Sequence, residues 1–328
     1  MIKSLTMNPI FEQWLTQQCG LTSYQLDPLA GDASFRRYFR VRQANRSFIA
    51  MDASSEKSSC VPFAAIARSL RKYGLNTPEI FAEDFDHGFL LLTDFGDRLY
   101  LKELTLTNAD MHYSHALDAL QIMQHCKIEN WTLKSFTADF MRNELMLFKE
   151  WFLEKHLGLI LNDSMHDMLT NCFNFLADSA ASQPQVFMHR DYHSANLMVL
   201  PQNQVGILDF QDAFLGPVTY DLVSLLRDCY ISWPNDIVQK WVLYFWERMP
   251  LPRICEKDFL RWFDLMSMQR HLKALLTFSR KYRRDQNAHY LQHIPRTLNY
   301  ILATSAIYPE TSALNQFLKN MVMKKCVE

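Results

Sequence analysis

The sequence predicts an α+β fold in two lobes, a small β-rich N-terminal lobe at 1–95 and a larger helical C-terminal lobe at 96–328. Three observations support this prediction. Short segments of alternating apolar and polar residues, separated by turn residues, dominate the first part of the chain. Longer segments with helical periodicity dominate the second part. They are interrupted by a β-rich segment at 186–210 that is dense in polar side chains.

In the first lobe, Asn8 and Pro9 predict the start of a helix that Gly20 ends. Three strands follow in SYQLDPLA, SFRRYFRVR and RSFIAMDA. A second helix is predicted over about 62–73, before Gly74. The segments EIFAED and GFLLLTD predict two more strands joined by the turn FDHG. We therefore expect a small, mainly antiparallel sheet with one or two helices.

The second lobe begins with helical periodicity, as in NADMHYSHALDALQIMQHC and FMRNELMLFKEWFLEKHLG. In the β-rich segment, NLMVL and VGILDF predict a hairpin joined by PQNQ. Helices then dominate to the C-terminus, as in PVTYDLVSLLRDCY and KDFLRWFDLMSMQRHLKALLTFSRKY.

The composition restricts the class of function. Of the 328 residues, 48% are hydrophobic and 21% are charged, and the formal net charge is −1, so no strong field attracts nucleic acid or an acidic membrane. The 8 glycines are too few to favour a dinucleotide-binding fold. The sequence contains no run of about 18 apolar residues, so it predicts no membrane span. We expect neither a nucleic-acid nor a membrane partner, and the sequence does not indicate an oligomeric state.

The seven cysteines are dispersed and form no CxxC pair. Such a set is typical of thiols in a reducing compartment rather than of a disulfide framework or a zinc site. The first residues, MIKSLTMNPIFEQW, lack the continuous apolar run of a signal peptide. These features predict a cytoplasmic protein.

The stretch FMHRDYHSANLMVL, at 187–200, places His189, Asp191 and Asn196 on one loop. The predicted hairpin that follows returns Asp209, in VGILDFQD, to the level of that loop. One carboxylate can then accept a hydroxyl proton, while a carboxylate and an amide oxygen can hold Mg²⁺ against nucleotide phosphates. The alternative is a polar turn between two strands.

The pattern H-x-D-x-x-x-x-N followed by D-F is that of the eukaryotic-like kinase fold, and the order of the two lobes agrees with it. This interpretation predicts ATP and Mg²⁺ as cofactors. The segment LLLTDFGD falls where such folds place the hinge that binds adenine, so Thr93 and Phe95 are predicted to contact ATP.

The loop expected over the phosphates, AGDASFRRYF, departs from the protein-kinase pattern because it contains one glycine instead of G-x-G-x-x-G. Its backbone N–H groups and a serine hydroxyl can still bind phosphate. The predicted ATP-binding residues of this loop are Gly31, Ala33, Ser34 and Phe35.

The lysine that pairs with phosphate in protein kinases is missing. Its position reads Ala50 or Met51, and the helix that follows, PFAAIARSLRKY, offers no acidic partner for a lysine. Arg36 or Arg37 is a candidate replacement, although arginines on the surface of a strand are the commoner explanation.

The sequence resembles the aminoglycoside-phosphotransferase-like kinases in five segments: GDASFRRYFRV, GFLLLTDFGDRLY, HRDYHSANLMV, GILDFQDAFLGPVTYDLVSLLRD and QRHLKALLTFSR. The resemblance extends over about residues 30–300. The loop motif is shared by the whole family, whereas the first and fourth segments are more specific to its branch of bacterial amino-sugar kinases. That branch resembles this chain in lacking the lysine as well. The resemblance implies ATP-dependent phosphorylation of the anomeric hydroxyl of N-acetylmuramate and N-acetylglucosamine, giving the 1-phosphates in cell-wall recycling.

The resemblance also implies roles for residues. Asp191 would be the catalytic base, and Asn196 and Asp209 would be the Mg²⁺ ligands. Asp221 would brace the catalytic loop through hydrogen bonds, the alternative being a carboxylate favoured by the dipole at a helix N-terminus. His189 would support the structure of the loop.

The acceptor site is less defined. His193, Gln211 and Asp212 flank the catalytic positions and are candidates for contact with sugar hydroxyls or the acetamido group, with turn or packing roles as the alternative. A lactyl carboxylate would favour a nearby cation. Arg270 is the candidate, and Lys273, three residues later, shares its helix face; a solvated basic face explains both equally well.

Two other functions stay open. The same fold can phosphorylate an aminoglycoside, choline or an amino-acid alcohol, for which Asp139 and Glu144 offer an acidic pocket. A nucleotide-binding pseudokinase would explain the missing lysine, although the intact Asp191, Asn196 and Asp209 argue against it.

Overall fold

The computed structural model describes residues 8–29, 35–249, 254–323 and 325. These residues form two compact units. Unit 1 contains the described residues of Met1–Leu99, Cys126–Thr132 and Met198–Gln211; unit 2 contains those of Tyr100–His125, Leu133–Leu197 and Asp212–Glu328. The predicted lobe boundary at residue 95 lies near the end of the first segment of unit 1. The two later segments of unit 1 come from the stretch that the prediction assigned to the second lobe.

The N-terminal part of unit 1 has two α-helices and five strands: α1 (Pro9–Gln17), β1 (Gln25–Leu29), β2 (Arg37–Gln43), β3 (Arg46–Asp52), α2 (Cys60–Lys72), β4 (Ile80–Asp84) and β5 (Phe89–Thr93). The strands form an antiparallel sheet in the order β1-β2-β3-β5-β4. The predicted strands, the turn between β4 and β5 and the predicted second helix are confirmed.

Local sequence chemistry explains the first helix. The side chain of Asn8 accepts a hydrogen bond from the N–H of Ile10 at 3.1 Å, and Pro9 occupies the first turn, where its missing N–H costs nothing. Phe11 and Trp14 then pack with Phe39 of β2 and other apolar residues of the sheet. One face of the sheet is therefore buried.

The first elements of unit 2 are α3 (Tyr100–Glu103), α4 (Ala109–Gln124), β6 (Lys134–Ser135), α5 (Ala138–Phe148) and α6 (Asp163–Ala181). Thr137 caps α5 by accepting a hydrogen bond from the N–H of Phe140, and Asn162 caps α6 in the same way toward Met165. These caps fix where two of the predicted helical segments begin.

The β-rich segment contains β7 (Gln185–Met188), β8 (Leu197–Val199), β9 (Val205–Ile207) and β10 (Phe214–Pro217). The predicted hairpin is confirmed as the β8–β9 pair, which lies in unit 1 apart from Leu197. In unit 2, β10 pairs with β7 and with β6 to form a three-stranded sheet that the sequence did not predict.

The rest of unit 2 is helical: α7 (Tyr220–Leu226), α8 (Asn235–Arg248), α9 (Glu256–Asp285), α10 (Ile294–Ser305) and α11 (Ser312–Phe317). The 30 residues of α9 form a central helix, since α5, α6, α7 and α10 all pack against it. Short 3-10 or π-helical segments lie at Ser54–Ser59, Lys149–His156, Pro201–Asn203, Ala288–His293, Pro309–Thr311 and Leu318–Val322. A sheet of five strands and a helical unit around α9 confirm the predicted α+β class.

Candidate active site

The predicted catalytic loop of unit 2, residues 189–196, is held by its backbone. The Asp221 carboxylate, buried in the first turn of α7, accepts hydrogen bonds from the N–H of His189 at 2.6 Å and of Arg190 at 2.9 Å. Burial raises the pKa of Asp221 to about 7, and the two backbone hydrogen bonds oppose that rise. The geometry is that of the predicted brace.

Arg190 has a strained backbone and an enclosed side chain. Its φ of 77° lies in the left-handed region, which a residue with a Cβ rarely adopts. The guanidinium lies 4.6 Å from the centre of the Phe214 ring, and its Nη2 atom is 3.6 Å from Oε1 of Glu144. These contacts fix the Arg190 side chain immediately before Asp191.

The Asp191 carboxylate faces a lysine. Its Oδ1 atom is 3.9 Å from Nζ of Lys273, and the two side chains are 38% and 20% exposed. Burial alone would raise the pKa of Asp191, but electrostatic interactions with Lys273, His193, Arg270 and Arg190 outweigh it and lower that pKa. Asp191 is therefore an anion at neutral pH, as a proton acceptor must be.

Asn196 closes the loop. Its Nδ2 atom donates to the carbonyl oxygen of Asp191 at 2.9 Å, and its backbone N–H donates to the carbonyl of His193 at 2.9 Å. With Nδ2 occupied, the amide oxygen is the atom that can bind a cation. The buried His193 ring packs edge-on against Tyr230, with ring centres 5.2 Å apart.

A second buried carboxylate, which the sequence did not reveal, braces the middle of the loop. Asp228 accepts hydrogen bonds from the N–H of Ser194 at 3.0 Å and from its hydroxyl at 2.5 Å, and from the N–H of Tyr230 at 2.8 Å. The aspartate lies in SLLRDCY, where no spacing or motif distinguishes it from a helix-end carboxylate.

Of the predicted acceptor residues in unit 2, Arg270 is the most enclosed. It is 6% exposed, its Nε atom donates to the Ser224 hydroxyl, and its Nη1 atom lies 3.8 Å from Sγ of Cys229. Its guanidinium is thus bound to α7 and the segment after it, whereas Asp212 is exposed. Contact of Arg270, His193 and Asp212 with an acceptor stays a prediction.

Unit 1 carries the second aspartate of the motif. Asp209 follows β9 with a φ of 62°, and its Oδ1 atom accepts a hydrogen bond from Nε2 of Gln211 at 2.6 Å. The next residue, Phe210, is fully buried and packs against Phe63 of α2, with ring centres 4.9 Å apart. The phenylalanine therefore anchors a short turn that leaves the aspartate exposed.

The predicted hinge segment is fixed by an arginine of β2. Arg40 is buried, and its guanidinium donates to Asp94 at 3.0 Å, to Asp97 at 2.8 Å and to the carbonyl of Gly96 at 3.0 Å. Within this segment, Thr93 exchanges backbone and side-chain hydrogen bonds with Glu79.

The ring of Phe95 lies close to β9. A Cβ atom added to Gly206 would be 3.0 Å from Cδ2 of Phe95, which is tighter than ordinary van der Waals contact. The contact of Thr93 and Phe95 with ATP stays a prediction.

The position of the missing lysine is apolar. Met51 is fully buried and lies opposite Tyr38 in the β2–β3 pair. Arg37 forms an ion pair with the buried Asp52 across the same two strands, and Nε of Arg36 donates to the Ser59 hydroxyl at 3.2 Å.

Four residues of the loop at 31–35 are predicted to bind the phosphates of ATP. Gly31, Ala33 and Ser34 lie outside the described residues, and Phe35 is 74% exposed. Their contact with nucleotide stays a prediction.

Two further findings concern the described residues as a whole. They contain no group of three or more His, Cys, Asp or Glu side chains that could hold a metal ion. None of the helices they form has both the length and the apolar character needed to cross a membrane.

Comparison with known proteins identifies the family of this chain. Residues 25–254 match the phosphotransferase enzyme family, which is more than half of the sequence. The chain belongs to this family. Solved structures show the same fold for this phosphotransferase: ADP-bound aminoglycoside phosphotransferase APH(2'')-Ib matches with a TM-score of 0.63 over 90% of this chain and 98% of that chain, at 15% identity. Choline kinase LicA from Streptococcus pneumoniae matches with a TM-score of 0.61 over 90% of this chain and 98% of that one, at 12% identity.

Curated relatives are much more similar in sequence. Three proteins named N-acetylmuramate/N-acetylglucosamine kinase resemble this phosphotransferase. The protein of Pseudomonas aeruginosa is 41% identical, covering 90% of this chain and 88% of its own length. That of Pseudomonas putida is 39% identical with the same coverage, and that of Neisseria meningitidis serogroup B is 34% identical over 95% of both chains.

Proposed function

We propose that this phosphotransferase is an ATP-dependent amino-sugar kinase that phosphorylates the anomeric hydroxyl of N-acetylmuramate or N-acetylglucosamine. The observation that carries the proposal is the braced loop, in which Asp221 binds two consecutive backbone N–H groups and Asp191 follows with a cation beside it. Phosphoryl transfer depends on positioning and charge neutralisation more than on covalent chemistry. The names of the three relatives support the choice of acceptor.

In this proposal Asp191 accepts the proton of the acceptor hydroxyl, and Asn196 and Asp209 supply oxygen ligands to Mg²⁺. The chemistry of both side chains fits a hard cation. The Nδ2 atom of Asn196 donates a hydrogen bond within the loop, which leaves its amide oxygen for the metal. The Oδ1 atom of Asp209 accepts a hydrogen bond from Gln211, which leaves Oδ2 for the metal. The metal, when bound with ATP, would offset the negative charge of the phosphate oxygens.

The charges around Asp191 favour an acceptor that is neutral or anionic. Lys273 and Arg190 lie close to it, and Glu144, the carboxylate that an aminoglycoside or choline would need, is already near Arg190 at 3.6 Å. Asp139 is well exposed and pairs with Arg142 at 2.6 Å. Each of these carboxylates already has an arginine partner, which argues against a cationic acceptor at this site.

An ADP-release assay tests the proposal. The acceptors are N-acetylmuramate, N-acetylglucosamine, glucose, choline and kanamycin, and the blank is Asp209→Asn, since asparagine tolerates the left-handed backbone at this exposed position. We expect ADP release that depends on an amino sugar and exceeds the blank. The absence of such release would refute the proposal. Release with choline or kanamycin alone would mean that the enzyme acts on another class of acceptor.

NMR spectra of the product test which sugar hydroxyl receives the phosphate. Transfer to the anomeric oxygen couples the phosphorus to the anomeric proton in NMR spectra, whereas transfer to another hydroxyl couples it to a different sugar proton. Coupling elsewhere would contradict the anomeric assignment.

We also propose a cytoplasmic location, where a recycled cell-wall sugar would meet ATP. Among the described cysteines no disulfide is formed, which suits a reducing compartment. Fractionation of cells that express the native chain tests this: activity in the periplasmic fraction would contradict it.

A further inference from the structure

The central helix of unit 2 is fixed to the helix that braces the catalytic loop. Arg270, on α9, donates from Nε to the hydroxyl of Ser224 on α7, and α7 also carries Asp221. Lys273 follows Arg270 by three residues and therefore lies on the same side of α9. The bond between the two helices thus sets where the lysine ammonium lies relative to the loop.

The Lys273 ammonium is directed at the proposed base. Among the described residues, it is the cation that forms an ion pair with the Asp191 carboxylate, at 3.9 Å. Electrostatic interactions with Tyr220, Asp191 and Glu144 outweigh burial and raise the pKa of Lys273, so it stays protonated at neutral pH. Both members of the pair remain partly exposed, so a substrate can reach them.

The two arginines nearby are already engaged. The guanidinium of Arg190 lies against the Phe214 ring and near Glu144, and that of Arg270 is buried against Ser224 and Cys229. An ion pair at 3.9 Å between two partly exposed side chains contributes little to stability, so stability alone does not account for a lysine at this position. At this position the lysine provides a flexible ammonium group with three donors, next to the Asp191 carboxylate that would accept the hydroxyl proton.

We propose that Lys273 is a catalytic residue that donates a hydrogen bond to an oxygen of the phosphoryl group during its transfer. The inference rests on the proposed kinase function. In the step, the bond between the acceptor oxygen and the γ-phosphorus forms, and the bond from that phosphorus to the bridging oxygen of ADP breaks. The hydroxyl proton passes to Asp191, the bond electrons leave with ADP, and Lys273 keeps its own proton.

Kinetics of Lys273→Met and Lys273→Arg, measured with both amino sugars, test the inference. We expect Lys273→Met to lower kcat about 100-fold or more for either sugar, since the lost contact forms in the transition state. The KM for ATP should change less than about threefold. Lys273→Arg should recover at least about tenfold of the loss, because it restores the charge with a different shape. Lys257→Met, at an exposed position in the first turn of the same helix, is the control and should behave as the wild type.

The outcomes separate this role from the alternatives. A loss confined to N-acetylmuramate would overturn the inference, because Lys273 would then bind the lactyl carboxylate. A kcat within about threefold of the wild type would overturn it too, as would an equal loss in the methionine and arginine variants with lowered melting temperatures. If the methionine variant unfolds below the assay temperature, Lys273→Gln is judged by the same criteria. A wild type without sugar-dependent ADP release would refute the proposed function itself, and this inference with it.

Discussion

The carboxylate of Asp221 accepts a hydrogen bond from the backbone N–H of His189 at 2.6 Å, so a buried helix end holds the catalytic loop through its main chain. This relationship favours the brace over the helix-dipole role, the two explanations that the sequence left open for Asp221. A helix-dipole role needs only an acid in the first turn, whereas the observed carboxylate binds both His189 and Arg190.

We expect Asp221→Asn to lower the free energy of unfolding by about 1–3 kcal/mol, because an amide N–H would face a backbone N–H that is then left unsatisfied. Displacement of the loop should also lower kcat about 100-fold. Urea unfolding and steady-state kinetics measure the two effects. Asp236→Asn, an exposed acid in the first turn of α8, is the matched control and should show only the dipole effect, under about 1 kcal/mol. Equal effects of the two substitutions would rule out the brace.

The elements that could be predicted from the sequence are those fixed by neighbouring residues. Alternation and turn chemistry identify the sheet of unit 1 and the β8–β9 hairpin, because each depends on side chains a few positions apart. The unit to which the hairpin belongs could not be predicted in the same way. The hairpin belongs to unit 1 because Val199 donates from its N–H to the carbonyl of Arg98 and Ile207 does so to Asn76, and such distant backbone pairings leave no local signal.

The same distinction applies to the candidate site: contacts within one loop can be predicted from the sequence, and contacts between distant segments cannot. The spacing of Asp191 and Asn196 can be recognised because one loop carries both, and the structure shows them bonded through the carbonyl of Asp191. Asp228 binds Ser194 across 34 positions, and Lys273 reaches Asp191 from a later helix, so only packing brings these pairs together. For Arg270 the sequence showed a shared face with Lys273 but not that the arginine would be buried.

The role of Asp191 as a base gives a second prediction. Asp191→Asn removes the proton acceptor but leaves the backbone carbonyl that Asn196 binds, so the loop should keep its conformation. We expect kcat to fall by about 10²–10⁴-fold and the KM for ATP to stay within about threefold. Steady-state kinetics with an amino sugar provide the measurement. Asp167→Asn, an exposed position on α6, serves as the control, and retention of turnover in Asp191→Asn would exclude this residue as the base.

A third prediction concerns the segment at 93–97. Arg40→Lys replaces a planar fork that binds Asp94, Asp97 and the Gly96 carbonyl with a single ammonium. If this segment binds adenine, the KM for ATP should rise about tenfold, since about 1.4 kcal/mol of positioning is lost, with a smaller change in kcat.

The matched control for Arg40 is Arg42→Lys on the same strand, where the arginine pairs with Asp27 and the two side chains are 50% and 35% exposed. It should leave stability within about 0.5 kcal/mol and nucleotide kinetics unchanged. An unaltered KM for ATP in Arg40→Lys, with a clear loss of stability, would make the arginine a structural clamp without a role in nucleotide binding.

A fourth prediction concerns His271, a buried residue of α9, and the dependence of stability on pH. Its ring is stacked on Tyr300, Nδ1 lies 3.1 Å from the Ser267 hydroxyl and Nε2 lies 2.8 Å from the carbonyl oxygen of Arg227. Burial, assisted by the positive charge of Arg270, lowers the pKa of His271 to about 3. The unfolded chain binds a proton near pH 6.5 and the folded one does not. This contribution to stability is therefore complete above about pH 6.5 and is lost progressively as the pH falls toward 3.

Between pH 6.5 and pH 5 this histidine should lower the free energy of unfolding by about 1.6 kcal/mol, since the full slope of about 1.4 kcal/mol per pH unit is reached only below the pKa of the unfolded chain. His271→Gln keeps a donor toward the Arg227 carbonyl but cannot titrate, so its stability should fall less steeply over the same range. Urea unfolding of both proteins at half-unit pH intervals gives the two slopes, and only their difference matters, because the substitution also changes packing. Parallel slopes would mean that His271 binds a proton equally well in the folded and unfolded states.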